Sequence, residues 1–444
     1  MNRLHLLHMI VAGALAVCTT TSGLAQQYDF VDLGLLPGSV EAHGEGINDL
    51  GQICGFSYDE NGLLHAYLWE NGNLTDLGTL GGLEARAYGI NNLGQITGYA
   101  DTPQSYRHAF VWQNGVMTDL GSMQGEYAHS FGRRITDTGL SCGTGEGSLG
   151  LFHAYFHDGT DWFDLGTLGD RHSTSWARDV SEAGRVVGAS QIHISGPAHA
   201  FLWEADTLID LGTLGGSTSQ ANGINEAGTI VGFAYNEDEQ ARGFIFESAS
   251  VMTSVGAFGN RDSSLREIND AGVAVGYSMT PQRDRHAAVY SDGVLYDLNY
   301  LAEIPDGWML YGARDINEDG WIVGAAKYDG LFRAYLLIPT DDPFTLTVDP
   351  LIGGTRAQVT VSGARPNSRI TLAYSLDGIG YVNVPKLNTA VHLENPEKAG
   401  RMTETDAAGT AVWDVKVPDH PGHTVWFQAI QDGLVSNVAK GEIE

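Results

Sequence analysis

The sequence predicts an all-β fold, a seven-bladed β-propeller of four-stranded blades followed by a β-sandwich. Three observations predict it. A strand-and-turn pattern recurs seven times, the two ends of that array are incomplete in complementary ways, and the last hundred or so residues alternate apolar with polar residues in a different texture.

In chain order, residues 1–25 read as a secretory signal. Arg3 gives a positive start, Met9 to Val17 is apolar, and Gly23-Leu24-Ala25 offers small residues for cleavage. The apolar stretch is shorter than the roughly 18 residues that a membrane span needs. Cys18 follows Val17, where a lipid-anchored cysteine would want a small residue, so release is expected rather than lipidation. The expected location is extracellular or periplasmic. Loss of Arg3 takes the formal charge from −30 to −31. Such acidity argues against nucleic acid and against anionic membrane surfaces as partners. A hydrophobic content of 43% with only 18% charged residues is ample for a core and excludes global disorder.

Residues 26–341 form the expected propeller. A block of the form Ile-Asn-x-x-Gly-x-Ile-x-Gly ends at Gly55, Gly98, Gly143, Gly188, Gly232, Gly276 and Gly324, so successive spacings are 43, 45, 45, 44, 44 and 48. Asp-Leu-Gly recurs at Asp32, Asp76, Asp119, Asp164 and Asp210, then as Ser254-Val-Gly and Asp297-Leu-Asn. His-Ala-aromatic recurs with drift at His65, His108, His153, His199, Arg242, His286 and Arg333. Within a period, Asn71-Gly72 joins two strand-like runs as a hairpin turn, and Asn92-Leu93-Gly94 joins two more. Four short strands in about 44 residues is the size of a propeller blade.

The array begins with an Asp-Leu-Gly strand, 28–34, that lacks its preceding His-Ala strand. It ends with a His-Ala-type strand, 333–338, that lacks a following Asp-Leu-Gly strand. Pairing the two builds the last blade from both ends and leaves no open sheet edge. A linear solenoid would want polar capping repeats instead.

These triplets, His108-Ala109-Phe110 and His199-Ala200-Phe201 with Asp76 to Gly82 and Asp210 to Gly216, resemble the HAF-type extracellular repeat of bacteria. The resemblance covers 28 to about 338 and implies a secreted bacterial repeat protein. It implies no activity, so no catalytic residue carries over.

Residues 342–444 follow the Asp341-Asp342-Pro343 break and read as an immunoglobulin-like β-sandwich, with strands at 344–348, 358–361, 370–374, 411–417 and 424–429. The stretch around Trp426 and Val435 to Val438 is similar to a C-terminal module appended to assorted secreted bacterial proteins, which implies spacing or attachment. A stabilising cap without a partner is the alternative.

Residues that recur in every blade are read as structural: the Asp-Leu-Gly aspartates as turn caps, and likewise the His-Ala histidines, which Arg242 and Arg333 can replace. Cys54 and Cys142 share a repeat slot that Thr97, Val187, Val231, Val275 and Val323 fill elsewhere, which makes them small buried residues two blades apart and not a disulfide. Function is then sought where the repeats differ. Two residues before each Ile-Asn lie Glu45, Tyr88, Arg133, Arg178, Asn222, Arg266 and Arg314. Four arginines in one column of a chain with 24 basic and 54 acidic residues suggest a basic funnel at the mouth of the central channel. The candidate ligand-binding residues are Arg133, Arg178, Arg266, Arg314, Tyr88, His129 and His172, suited to carboxylate or sulfate groups. The competing reading makes Arg178-Asp179, Arg266-Glu267 and Arg314-Asp315 ion pairs between blades. No cofactor and no metal site is expected. Structural calcium at Asp59-Glu60-Asn61-Gly62 or Asn236-Glu237-Asp238-Glu239 is the weaker alternative, since neither has an EF-hand spacing.

The sequence thus points to a monomeric, non-catalytic binding protein whose partner is a glycan or an extracellular protein. Two alternatives remain: a polysaccharide lyase using Tyr88, Tyr127, His129, His172 and Arg133, or an extracellular scaffold or adhesin. The chain contains no Gly-x-Ser-x-Gly elbow, His-Glu-x-x-His or phosphate loop.

Overall fold

Tight turns and β-rich runs leave the chain little choice but short antiparallel strands. The computed structural model describes residues 26–247, 251–340, 344–384, 389–399, 402–417, 419, 421–431 and 434–444. The expected signal at 1–25 and the expected boundary at 341/342 lie outside them. Helix among the described residues is confined to the single turns Phe258–Asn260 and Leu298–Tyr300.

Strands Ser39–Ile47, Ile53–Asp59, Leu64–Glu70 and Asn73–Asp76 pair in that order as sheet one. Residues 85–121, 130–164, 175–210, 215–254 and 263–297 repeat the arrangement as sheets two to six. Sheet seven takes Trp308–Ile316, Ile322–Tyr328 and Leu331–Pro339 from the far end and Tyr28–Asp32 from the beginning, with Tyr28 opposite Pro339 and Asp32 opposite Tyr335.

Covering explains the patterns. In sheet two, Ile96 to Ala100 is buried at every position because neighbouring sheets lie on both faces, so period-two alternation disappears there. The outermost strand, as in Asn73–Asp76, is largely exposed. At the turn after each Ile-Asn the glycine has positive φ, 73° at Gly51 and 72° at Gly94, a conformation that other residues adopt only with strain.

Two chains of hydrogen bonds tie sheet to sheet. The repeated asparagine donates to the backbone carbonyl at the equivalent position of the next sheet: Asn48 to Asn91 at 2.9 Å, Asn91 to Thr136 at 2.8 Å, Asn269 to Asn317 at 3.1 Å and Asn317 back to Asn48 at 3.1 Å. The residue after it forms a complete cycle. The amides of Asp49, Asn92, Asp137, Glu182, Glu226, Asp270 and Glu318 each donate to the side chain of the next member, and Glu318 returns to Asp49 at 2.9 Å. These bonds run from each sheet to the next and from the last back to the first. The Asp-Leu-Gly carboxylates act as turn caps, as when Asp76 Oδ1 accepts from the Gly78 amide at 2.8 Å, and Asp119 likewise from Gly121 at 2.7 Å. Cys54 and Cys142 are buried free thiols.

The C-terminal region builds a three-stranded sheet (Thr345–Val348, Arg356–Ser362, Ala411–Lys416) and a second sheet around Arg369–Ser375 and Thr424–Gln431. They share an apolar core that includes Phe344, Val359, Val361, Leu372, Trp413 and Phe427. This region is not a loose appendage. Val391, Leu393, Ile430 and Val435 join one buried cluster with Val289, Leu298 and Leu301 of the ring. Polar contacts secure the seam: Tyr381 Oη donates to Asp297 at 3.0 Å, the Asp297 amide to His392 Nε2 at 3.1 Å, and the Val438 amide to Tyr296 Oη at 3.0 Å.

Candidate functional site

The innermost strands of all seven sheets wall a central channel, and their side chains fall in columns. The residue directly before each repeated isoleucine is Gly46, Gly89, Arg134, Asp179, Gly223, Glu267 or Asp315. Arg134 reaches across the channel from sheet three. It meets Asp315 through two bonds of 2.8 Å, Asp179 at 3.3 Å, and Glu267. Backbone amides complete the cluster: Asp179 accepts from Ile224 and Val180, Asp315 from Ile47 and Ile316, Glu267 from Ile268. Burial pushes the Asp179 and Glu267 carboxyls above their usual range, with Arg134 opposing it. This cluster separates a cavity of about 190 Å³ on the tight-turn side from one of about 260 Å³ on the long-loop side.

The loop-side cavity is lined by Glu45, Arg86, Tyr88, Arg133, Arg134, Arg178, Asn222, Arg266, Glu267 and Arg314, one or more from each sheet. Glu45 is taken by Arg86 at 3.1 Å. Burial would raise the Glu45 carboxyl, but Arg314 and Arg86 beside it hold it below its usual value. The guanidiniums of Arg133, Arg178, Arg266 and Arg314 have no hydrogen bond or ion pair among the described residues. The Nε atoms of Arg178 and Arg266 are buried without a partner. Burial first, then Arg133 and Arg266, push Arg178 down to about 9, and burial with Arg314 pushes Arg266 down to about 10. Because arginine keeps its proton in proteins, that pressure measures desolvation and like-charge crowding, which an anion in the cavity would relieve.

Aromatic rings flank the arginines. Arg133 lies 3.9 Å from the Tyr88 ring centre, and Arg86 3.8 Å from that of Phe56. Arg285 lies 3.6 Å from Tyr277, and His43 stacks on Phe56 at 4.6 Å. Such rings hold a guanidinium in place without cancelling its charge.

The structure brings Tyr88, Arg133, Arg178, Arg266 and Arg314 together as cavity lining. It does not bring His129 or His172 there. His129 Nδ1 accepts from the Arg107 amide at 3.0 Å and its ring packs on Tyr106, while His172 sits in an exposed turn beside Arg171. The ion pairs between blades run differently from the alternative the sequence raised, since Asp179, Glu267 and Asp315 all serve Arg134 and none serves the arginine beside it. Arg134 was overlooked, although its column carries one arginine, three acids and three glycines. In the acidic outer loops, Asp59 Oδ1 accepts from the Asn61 and Leu63 amides, and Asn236 Oδ1 from those of Asp238 and Gln240. Among the described residues no group of three or more His, Cys, Asp or Glu is placed to hold a metal ion, and no helix is long and apolar enough to cross a membrane.

No family model matches the chain, and no curated protein matches it. Solved structures similar to it include a gluconolactonase from Xanthomonas campestris, 11% identical over 71% of this chain and 92% of that one, with a TM-score of 0.38. A lectin from Burkholderia pseudomallei is 9% identical over 68% and 99%, with a TM-score of 0.36. The Aleuria aurantia fungal lectin, a six-bladed β-propeller, is 13% identical over 69% and 98%, with a TM-score of 0.33. At these scores the likeness carries neither a blade count nor a ligand.

Proposed function

We propose that this chain is an exported, non-catalytic binding protein, a seven-bladed propeller of HAF-like repeats with an immunoglobulin-like sandwich docked on it, and that it holds an anionic group of a carbohydrate in the arginine cavity. One observation carries the reading: four guanidiniums from four sheets converge on one cavity with no hydrogen-bonded acid among the described residues, while the acids of its lining, Glu45 and Glu267, are bound by Arg86 and Arg134. Leaving buried charge unpaired is costly, and a protein tolerates it where a ligand supplies the counter-charge.

The lyase alternative has less support, since His129 and His172 lie away from the cavity and Tyr127 is two-thirds exposed at a loop tip. The test is a glycan array with the wild type and an Arg178→Ala plus Arg314→Ala variant. Selective retention of acidic glycans, lost in the variant, is expected. Equal retention of neutral and acidic glycans, or binding unchanged in the variant, would overturn the reading.

A further inference from the structure

Resting on that reading, we infer that the group entering the cavity is a compact dianion, a phosphate monoester at the end of a chain or on a side branch, rather than the single carboxylate of an internal uronate. Charge is the first argument. Arg86, Arg133, Arg134, Arg178, Arg266 and Arg314 line the cavity with Glu45 and Glu267, so six positive charges less two leave four. One carboxylate would leave three of those unmatched. A dianion offsets twice as much.

Direction is the second argument. The four free guanidiniums come from sheets three, four, six and seven, so their donors approach from several sides. A planar carboxylate suits one guanidinium held in a fork, whereas a tetrahedral oxyanion offers acceptors toward several at once.

Shape is the third. The cavity holds about 260 Å³, and at roughly 30 Å³ per water molecule that is room for about nine waters. An ester oxyanion and its first few carbons fit; a through-going polysaccharide does not. The floor is shut by Arg134, bound to carboxylates of sheets four, six and seven. A ligand therefore enters from the loop side and ends there, which an internal residue of a polymer cannot do.

Titration calorimetry on the full chain, with sodium sulfate, inorganic phosphate and galacturonate as probes in a low-salt buffer, tests this. Sulfate should bind at least tenfold more tightly than galacturonate, by the same amount at pH 7.5 and pH 5.5. Phosphate should weaken several-fold at pH 5.5, where it is almost wholly the monoanion. Arg178→Gln and Arg266→Gln, each shown to be folded by circular dichroism, should lower sulfate affinity at least tenfold. Galacturonate binding as tightly as sulfate would overturn the dianion inference and leave the anion-site reading standing. A folded protein that binds none of the three would overturn both.

Discussion

Two neighbouring levels of one channel differ in a single respect. At the level of Arg134, three carboxylates and several backbone amides surround one guanidinium; one residue earlier on the same strands, four guanidiniums have no hydrogen-bonded acid among the described residues, and the one acid of that level, Glu45, lies beside Arg314 and is bound by Arg86. The strands are shared, but the lower level carries three acids, Asp179, Glu267 and Asp315, and the upper level one, Glu45, which Arg86 takes. The difference teaches that charge in a buried channel divides into a part that holds the ring together and a part left for something to fill.

The comparison can be broken most forcefully at the satisfied level. Arg134→Met strips three buried carboxylates of their counter-ion, and such a loss typically costs about 3–5 kcal/mol. A urea titration should show a correspondingly lower midpoint, whereas a shift no larger than that of an exposed arginine would mean the cluster is not a fastener.

The repeated His–Asp pairs extend the contrast to another place. His199–Asp210 leaves its carboxylate 42% exposed, but the docked C-terminal region covers Asp297 of the His286–Asp297 pair completely. His286→Ala should cost about 3 kcal/mol and His199→Ala under about 1 kcal/mol. Burial lowers the His286 value, but Asp297 outweighs it and holds the imidazole above its usual range. The folded state therefore binds that proton more tightly than the unfolded state. The pair's contribution is complete below about pH 6.5 and is lost as pH rises through the raised value, so the His286→Ala penalty should be smaller at pH 9 than at pH 6.

Glu267 gives a smaller effect with the sign reversed in origin. Burial holds its carboxyl well above the usual range, so the unfolded chain releases that proton first and stability falls as pH climbs above about 4.5, by at most about 1.4 kcal/mol per unit. Glu267→Gln should flatten that slope in denaturation curves taken from pH 5 to 8. An unchanged slope would place the proton elsewhere.

At the unsatisfied level the expected stability effect is smallest. Arg178→Ala plus Arg266→Ala removes like-charge crowding, so the urea midpoint should stay level or rise, within about 1 kcal/mol. A loss of several kcal/mol would show that these arginines are fasteners too.

How much of this the sequence announced depended on repetition. Strand positions, the turn glycines and the pairing of 28–32 with 331–339 were legible because seven copies show which residues a strand needs, and because the incomplete ends fit one another. The arginine column was legible for the same reason, since Arg133, Arg178, Arg266 and Arg314 share a register that repeats do not require. His129 and His172 were misplaced because loops between strands carry no register, and proximity along the chain does not say which way a turn carries a side chain. The Arg134 cluster was missed because ion pairs were sought between sequence neighbours, whereas a ring brings Asp179, Glu267 and Asp315 to one arginine from three other sheets. Docking of the C-terminal region through Tyr381 and His392 left no periodic trace.

The most direct measurement is anomalous diffraction from crystals soaked in selenate, a heavy stand-in for sulfate. The account expects a selenium peak on the loop side of Arg134, within hydrogen-bond reach of Arg178 and Arg266. A channel holding only water, with the four guanidiniums turned onto carboxylates of the wall, would contradict it.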